Sequence, residues 1–154
     1  IYNNNEKVIK EAIEQTKQFI TEKELDDFKN QDKIIYDFKV FGGRYAYLKE
    51  EILSDKNMVF EMHYTMIDDW KKIKPDIKSI YILPKNIEIP KRKARERNLS
   101  KEKEIERINE IDEQYNMFIN DINFQNKFDY ILYNNYDEES EQQLLNLVKN
   151  ILNK

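Results

Sequence analysis

The chain has 154 residues, a formal net charge of -4 and 40% hydrophobic residues, which fits one globular domain with a buried core. It contains no cysteine, which excludes a disulfide scaffold and thiolate chemistry and fits a reducing compartment. No apolar segment approaches the roughly 18 residues needed to cross a bilayer, and no charged leader followed by an apolar run opens the chain. We therefore expect a cytoplasmic protein with no membrane partner.

Hydrophobic periodicity divides the first half of the chain into short helices and strands. Thr21 and Glu24 form a capping-box pattern that opens a helix. Runs of β-branched and aromatic residues predict strands, and the first of them, "KIIYDFKVF", ends in a turn at Gly42 and Gly43. In chain order, the predicted elements are a helix at 6–18, a helix at 21–28, a strand at 33–41, a helix at 48–53, a strand at 58–64 and a helix at 66–73.

The second half of the chain continues the alternation. The segment "SIYIL" predicts a third strand, which Pro84 stops, and "FDYILYN" predicts the last strand. The longest helical pattern begins at Ser100, which serves as its N-cap. In chain order, the predicted elements are a strand at 79–83, a helix from Ser100 to about Ile122, a strand at 128–134 and a helix at 138–152 capped by Asp137. The long helix carries one apolar stripe, made of Ile105, Ile108, Ile111, Tyr115, Phe118, Ile119 and Ile122.

Strands separated by helical crossovers are typical of a mostly parallel sheet that is covered on both faces. We therefore predict an α/β fold with three layers, in which helices flank a mostly parallel sheet. In such sheets, ligands bind beyond the carboxyl ends of the strands, where loops leave and helices begin. Functional residues should therefore cluster at 41–47, 61–65, 84–97 and 134–137.

Five cationic side chains fall within the seven residues 91–97 of this negatively charged chain. On a helix, Lys93 and Arg97 form one of two like-charge pairs four residues apart, each costing about 0.2 to 0.5 kcal/mol, and only Arg92 with Glu96 relieves them. Arginine presents a planar fork that suits phosphate oxygens, so a cluster after a strand's carboxyl end can close over a polyphosphate.

Two other interpretations of the cationic stretch stay open. Charge runs usually form a solvated face of a helix, and the spacing of these residues fits that interpretation too. In the second interpretation, the stretch binds nucleic acid or an anionic membrane. The net negative charge and the lack of a wider basic stripe argue against both of these ligands.

The order of the motifs adds a resemblance that spacing alone does not provide. The run "SIYILPKNIEIPKRKARERNLSKEKEIERINEIDEQY", followed by "KFDYILYNNYDEESEQQLLNLV", resembles the carboxyl-terminal part of the guanylate kinase family. In that family, a strand ending in Leu-Pro leads into an arginine-bearing lid, a long helix and a strand ending in Asn. Upstream, "FITEKELDDFKNQDKIIYDFKVFGGRYAYLKEEI" is similar to the family's nucleoside-monophosphate-binding module. The resemblance covers about 19–152 and implies a P-loop kinase architecture, with one guanylate kinase-like domain at 1–154, a nucleoside-monophosphate-binding module at 19–57 and a lid at 88–104.

The resemblance implies phosphoryl transfer from ATP to GMP, with Mg²⁺ arriving with the nucleotide. Lys93 and Arg97 fall on the family's two lid arginines, and Arg107 falls near a third arginine on the following helix. All three would contact phosphates and act as catalytic residues. Tyr45 or, with a shift of one residue, Ala46 takes the place of the tyrosine that contacts the GMP phosphate.

Further positions are assigned by the same resemblance. Asn134 matches the asparagine that ends the last strand, near where adenine lies. The glutamate that recognises guanine falls on Tyr36 or Asp37, and only Asp37 keeps a carboxylate. The family's strand with two acidic residues has Glu61 and His63 here. On a strand these two side chains share a face and would both look into the cleft, although a lone histidine at a strand end is more often structural.

The phosphate loop of the family has no counterpart in this sequence. Such a loop needs the pattern Gly-x-x-x-x-Gly-Lys-Ser/Thr, because several backbone N–H groups must converge on the phosphates. The chain holds two glycines, Gly42 and Gly43, which are adjacent, so the pattern cannot be written anywhere in it. The family's Thr-Thr-Arg element is missing as well. We therefore expect no catalysis by these residues as they stand.

Two explanations for the missing loop remain open. Either a segment upstream of Ile1 carries it, or the domain has lost ATP chemistry and holds a phosphorylated or acidic partner in place of GMP, as scaffold relatives of the family do. A nucleic-acid binder is the third hypothesis and is disfavoured by the net charge. No His, Cys and Asp cluster has metal-ligand spacing, so no metal site is predicted, and the sequence does not set the oligomeric state.

Overall fold

The computed structural model describes residues 20–40, 43–54 and 57–153. The chain divides into two compact units, of which the first ends at Glu61 and the second begins at Met62. The helix predicted at 6–18 and the glycine at position 42 lie outside the described residues.

The first unit contains a helix, a two-stranded hairpin and a second short helix. The hairpin strands pair antiparallel, with Phe38 opposite Tyr45. Its second strand was not predicted, because the sequence pattern there indicates only a turn and the start of a helix. The elements are α1 Glu22–Asn30, β1 Ile34–Val40, β2 Gly43–Leu48 and α2 Lys49–Ile52.

The first helix begins at the capping box that the sequence predicted. The Thr21 hydroxyl accepts a hydrogen bond from the Glu24 N–H at 3.2 Å, and the Glu24 carboxylate accepts one from the Thr21 N–H at 2.7 Å. The N–H groups of Thr21 and Glu24, which lack a partner inside the helix, thereby each gain an acceptor.

Replacing Thr21 with alanine is expected to lower the free energy of unfolding by about 1 kcal/mol, because the N3 amide loses its acceptor. Urea denaturation followed by circular dichroism would measure the change. Thr21→Ser keeps the hydroxyl and should retain most of the stability; equal losses in the two variants would show that the cap itself contributes nothing.

The second unit holds the parallel strands and most of the helices. A 3-10 turn at Tyr64–Met66 precedes its first helix. The two strands pair in register from Ile80 opposite Tyr130 to Pro84 opposite Asn134. The elements are α3 Ile67–Ile73, β3 Ile80–Pro84, α4 Glu88–Arg95, α5 Lys101–Asn120, α6 Ile122–Gln125, β4 Tyr130–Asn134 and α7 Glu138–Leu152.

The described residues form a mixed α/β protein with one small parallel sheet, β3–β4, and one antiparallel pair, β1–β2. The prediction of an α/β protein with a parallel sheet and helices is therefore confirmed. Only two residues separate β1 from β2, and the strands pair antiparallel, whereas parallel strands need a crossover of a dozen or more residues.

The strand predicted at 58–64 is wrong. Residues 57–63 form no regular element, and the 3-10 turn follows. Strand propensity reflects packing against a neighbouring strand more than an intrinsic backbone preference, and in the part of the chain that the structure describes this segment pairs with neither sheet. The carbonyl of Glu61 instead accepts a hydrogen bond from the Tyr47 hydroxyl.

Aromatic rings form the core of the second unit. Tyr81 and Leu83 alternate with the exposed Ile82 on β3, so two of three consecutive side chains point inward. The ring of Tyr81 stacks on Phe118 with centroids 3.8 Å apart. Trp70 on α3 is fully buried. The main cluster consists of Ile67, Tyr81, Leu83, Phe118, Phe124 and Phe128.

The long helix α5 ends two residues before the predicted limit. The Asp121 carboxylate accepts hydrogen bonds from the N–H groups of Asn123 and Phe124, so Asp121 caps the short helix α6 rather than continuing α5. The predicted apolar stripe is buried only in part: Phe118 is 2% exposed, whereas Ile105 is 50% exposed and Ile119 is 45% exposed.

Candidate functional site

The carboxyl ends of β3 and β4 lie side by side. Pro84 and Asn134 are register partners, and the N–H of Lys85 donates to the Asn134 carbonyl at 3.0 Å. The chain segments 85–97 and 135–137 therefore leave the sheet from one edge, which is where ligands bind in parallel sheets. We call this region, 84–97 together with 134–137, the carboxyl edge.

The turn after β4 is held by its own polar side chains. The Asn134 Oδ1 accepts from the N–H of Tyr136 at 2.7 Å, and the Ser140 hydroxyl accepts from the N–H of Asn135 at 2.9 Å. Asp137 caps α7 by accepting from Ser140, and this bonding lowers the pKa of the Asp137 carboxyl. Tyr136 has a left-handed backbone with φ of 61°, which costs a non-glycine residue about 1 to 2 kcal/mol.

Two cations of the 91–97 stretch are occupied by ion pairs. Lys91 Nζ lies 2.6 Å from Asp112 on α5 and 3.4 Å from Glu88, and its side chain is 14% exposed. The hydrogen bond to Asp112 raises the pKa of Lys91. Arg92 pairs with Glu96 at 3.8 Å on the exposed surface of α4. Lys91 therefore links α4 to α5 by an ion pair. One of the five clustered cations thus has a structural role.

The remaining cations of this stretch face outward or toward the carboxyl edge. Lys93 Nζ lies 5.3 Å from the ring centroid of Tyr136, within the range of a cation–π contact. Arg95 and Arg97 are exposed. The chain leaves the helix through Asn98, which has a φ of 50°, a conformation that asparagine tolerates. Lys93 thus connects the cationic helix after β3 with the turn after β4.

A shallow hollow opens at the carboxyl edge. Its lining comes from the end of β3, from α4, from the middle of α5 and from the turn after β4, and both apolar and polar surface faces the hollow. The lining residues are Tyr81, Ile82, Leu83, Pro84, Pro90, Ile111, Gln114, Tyr115 and Tyr136.

Arg107 lies one helical turn before the hollow. It precedes Ile111 by four residues, so the two side chains share a face of α5. Its Nη1 donates to Glu110 Oε2 at 3.3 Å. The other carboxylate oxygen of Glu110 lies 3.2 Å from His63 Nε2, and His63 Nδ1 lies 2.8 Å from the Thr65 hydroxyl. Both ring nitrogens of His63 therefore have partners within the second unit.

The hairpin of the first unit presents an aromatic face. Phe38 stacks on Tyr45 at 5.5 Å and on Tyr47 at 5.8 Å between ring centroids, and Tyr36 lies next to Phe38. Tyr45 is 47% exposed. Burial, with a contribution from the Glu61 carboxylate, raises the pKa of Tyr47 to about 12. Tyr45 is therefore the accessible member of this face.

The opposite face of the hairpin is polar and is tied to α1. Asp37 Oδ2 lies 2.9 Å from both Lys29 Nζ and Arg44 Nη2, and these hydrogen bonds, that of Lys29 first, lower the pKa of Asp37. Arg44 Nη1 also contacts Glu22 at 3.0 Å and Asp26 at 2.7 Å. Asp37 is therefore an ionised member of a charged network.

The predicted site residues fall into three groups. Lys93 and Asn134 meet at the carboxyl edge through their contacts with Tyr136, while Arg97 is exposed just beyond α4. Arg107 and His63 share Glu110. The candidate residues of the first unit are Asp37, Tyr45 and Glu61.

Sequence reasoning did not single out three residues that organise these groups, although Arg44 and Tyr136 lie within the predicted clusters at 41–47 and 134–137. Tyr136 follows Asn134 by two positions. Its place just after the predicted ligand-binding end of the strand was the signal that could have identified it. Glu110 follows Arg107 by three residues, a spacing at which opposite charges pair on a helix. Arg44 had no such spacing signal, because its carboxylate partners come from α1 and β1.

A curated protein is similar in sequence to this chain. It is a guanylate kinase of Hydrogenovibrio crunogenus (strain DSM 25203 / XCL-2), and it is 24% identical over 104 residues, which cover 68% of this chain and 48% of the relative. The chain therefore spans about half the length of the curated relative that it matches. No protein-family model matches the chain. The similarity supports a guanylate kinase-like relationship.

Two classes of feature are not found among the described residues. No helix within residues 20–40, 43–54 and 57–153 has both the length and the apolar character needed to span a membrane. Over the same residues, no group of three or more histidine or carboxylate side chains has an arrangement that would hold a metal ion.

Proposed function

We propose that this chain is a guanylate kinase-like module that binds GMP through its phosphate at the carboxyl edge. The observation that carries the proposal is the contact of Lys93 with Tyr136 at 5.3 Å. It brings the cationic helix that follows β3 across to the turn that follows Asn134 on β4. A positive side chain is thereby held over the edge of a parallel sheet, the part of such folds that receives ligands.

Lys93, Arg97 and Arg107 supply the charge for this proposal. A lysine acts on phosphate as a point charge, and an arginine presents a fork of N–H groups that matches phosphate oxygens. Arg97 is exposed, and the side chain of Arg107 is 30% exposed, so both are accessible to a ligand. In phosphoryl-transfer proteins such groups position the phosphates and neutralise their charge.

The resemblance assigns further GMP contacts to the first unit. By that resemblance, Tyr45 corresponds to a phosphate contact, Asp37 to a guanine contact and Glu61 to a substrate-binding residue. Asp37 Oδ2 carries both cations, Lys29 and Arg44. Among the described residues its Oδ1 accepts no hydrogen bond, so one oxygen remains for the N1–H or amino group of a purine.

The residues of this chain do not fit ATP as a phosphoryl donor. Several backbone N–H groups must approach the phosphates without interfering side chains, and the two glycines of the chain are adjacent. The resemblance assigns an adenine contact to Asn134, but the Asn134 Oδ1 already accepts a hydrogen bond from the Tyr136 N–H. This contact alone does not make an ATP site. We therefore propose a binding function for these residues, without transfer of a phosphoryl group.

The proposal includes a finer architecture than the described sheets. A three-layer, P-loop kinase-like domain would extend over 1–154, with the nucleoside-monophosphate-binding module at 19–57 and the lid at 88–104. The parallel pair, the cationic helix directly after β3 and the long α5 support this order of elements.

Isothermal titration of the chain with GMP at low salt tests the proposal, with guanosine as the matched ligand that lacks the phosphate. We expect GMP to bind and guanosine to bind at least about tenfold more weakly, since charge-assisted hydrogen bonds contribute about 1.5 to 3 kcal/mol each. Equal affinity for the two ligands, or no binding of GMP, would refute the phosphate site. ATP-dependent formation of GDP above a buffer control would refute the absence of transfer.

A further inference from the structure

We propose that Glu110 is a positioning residue for Arg107 and that His63 in turn holds Glu110. The inference rests on the proposed function, in which Arg107 contacts a phosphate, and it adds two residues to that site. Neither would touch the ligand. Their role is to fix the guanidinium before the ligand arrives.

The Glu110 carboxylate is a bridge, because its two oxygens serve different partners. Oε2 accepts from Arg107 Nη1 at 3.3 Å, and Oε1 lies 3.2 Å from His63 Nε2. Its side chain is 22% exposed, against 17% for His63 and 30% for Arg107. All three groups are therefore largely withdrawn from water. In such an environment a hydrogen bond between charged groups contributes more to stability than it does on the open surface.

His63 is fixed by contacts on both sides of its ring. Nδ1 lies 2.8 Å from the Thr65 hydroxyl, and the ring lies against Tyr64 with centroids 4.3 Å apart. With the proton on Nε2, the ring donates to Glu110 and accepts from Thr65, so one neutral tautomer satisfies both bonds. The segment before α3 thereby holds the Glu110 carboxylate in place on α5.

A fixed carboxylate limits the rotamers of Arg107. A free arginine side chain loses about 2 kcal/mol of rotamer entropy when it is immobilised, and a side chain that is already restrained loses less when the ligand binds. A guanidinium has five N–H donors, so a bond from one nitrogen to Glu110 is compatible with bonds to phosphate oxygens. Arg107 also shares a face of α5 with Ile111, which lines the hollow.

The substitution Glu110→Gln distinguishes a positioning role from mere proximity, because only a positioning role predicts weaker binding of GMP. If Glu110 were a bystander, removing its negative charge would strengthen the binding of an anion or leave it unchanged. If it positions Arg107, the loss of a charge-assisted bond should weaken GMP binding by about 3- to 10-fold. Glu113→Gln removes the same charge from an exposed position on α5 and should not weaken binding.

A second measurement follows the linkage itself without a ligand. His63 is the only histidine of the chain, so two-bond ¹H–¹⁵N spectra of the imidazole contain one set of signals. We expect the Nε2–H tautomer in the wild type, and we expect Arg107→Gln to shift both ring nitrogens because Glu110 then serves His63 alone. A purely structural role of Arg107 elsewhere would leave these signals in place.

The outcomes separate the two proposals. If the wild type binds GMP and Glu110→Gln binds it equally or more tightly while remaining folded by circular dichroism, the positioning role is refuted and the phosphate site stands. Unchanged ring-nitrogen shifts in Arg107→Gln would refute the linkage through Glu110. If the wild type binds no GMP, the proposed function fails first, and the positioning role fails with it.

Discussion

Replacing Phe118 with alanine should lower the free energy of unfolding by about 3 to 5 kcal/mol, the range measured for large buried aromatic side chains. Phe118 is 2% exposed and stacks on Tyr81 with centroids 3.8 Å apart. It also contacts the rings of Phe124 and Phe128. The cavity would therefore lie at the centre of the second unit, and urea denaturation followed by circular dichroism would show a lower midpoint.

The adjacent residue provides the control for this substitution. Ile119 is the next residue on α5 and is 45% exposed, so Ile119→Ala should change the free energy of unfolding by about 0.5 kcal/mol or less. A loss below about 1 kcal/mol for Phe118→Ala, or equal losses for the two variants, would contradict the aromatic core of the second unit.

Removing two cations from the carboxyl edge should have the largest effect on ligand binding. We expect the double substitution Lys93→Ala and Arg97→Ala to weaken GMP binding by about 10- to 100-fold. Each lost hydrogen bond to a charged group contributes about 1.5 kcal/mol or more, and about 1.4 kcal/mol corresponds to a factor of ten. Isothermal titration at low salt would measure the change.

A second double variant in the same cationic stretch separates a binding site from diffuse electrostatic attraction. Arg92→Ala with Arg95→Ala removes the same charge at exposed positions of α4, and it should reduce the affinity by less than about threefold because solvent and salt screen exposed charges. If both double variants lose the same affinity, the cationic stretch acts as a general charged surface, and the assignment of Lys93 and Arg97 is wrong.

Local signals predicted most of the described helices, although α4 and α6 were not among the predicted elements. The capping patterns at Thr21, Ser100 and Asp137 all correspond to helix starts in the structure. A helix cap is a contact between residues two or three positions apart, so both partners can be recognised in a short stretch of sequence. The strands β3 and β4 were predicted for a similar reason, since each is a compact β-branched and aromatic run between turn signals.

The misses concern pairing over longer distances. The segment 58–64 has the composition of a strand but no partner strand among the described residues. The short strand β2, in contrast, has a weaker pattern and is defined by its register with β1. Composition reports what a segment tolerates, whereas the partner that completes its hydrogen bonds depends on the rest of the fold.

The candidate site shows the same division. The sequence identified the cationic stretch and the asparagine at the end of β4, and the motif order placed both beside the carboxyl edge. It did not show that Lys91 is neutralised by Asp112 on α5, or that Tyr136 lies under Lys93. These contacts join residues about 20 to 40 positions apart, beyond the range of helical or strand periodicity.

The binding of a phosphate at the carboxyl edge is the central claim, and chemical-shift mapping tests it most directly. ¹⁵N-labelled chain titrated with GMP should show its largest amide shifts within 84–97 and 134–137, with a side-chain signal of Arg107 moving in the same titration. Guanosine at the same concentrations should leave these signals nearly unchanged. Saturating GMP that shifts no amide of these two segments, or that shifts only residues elsewhere in the chain, would contradict the claim.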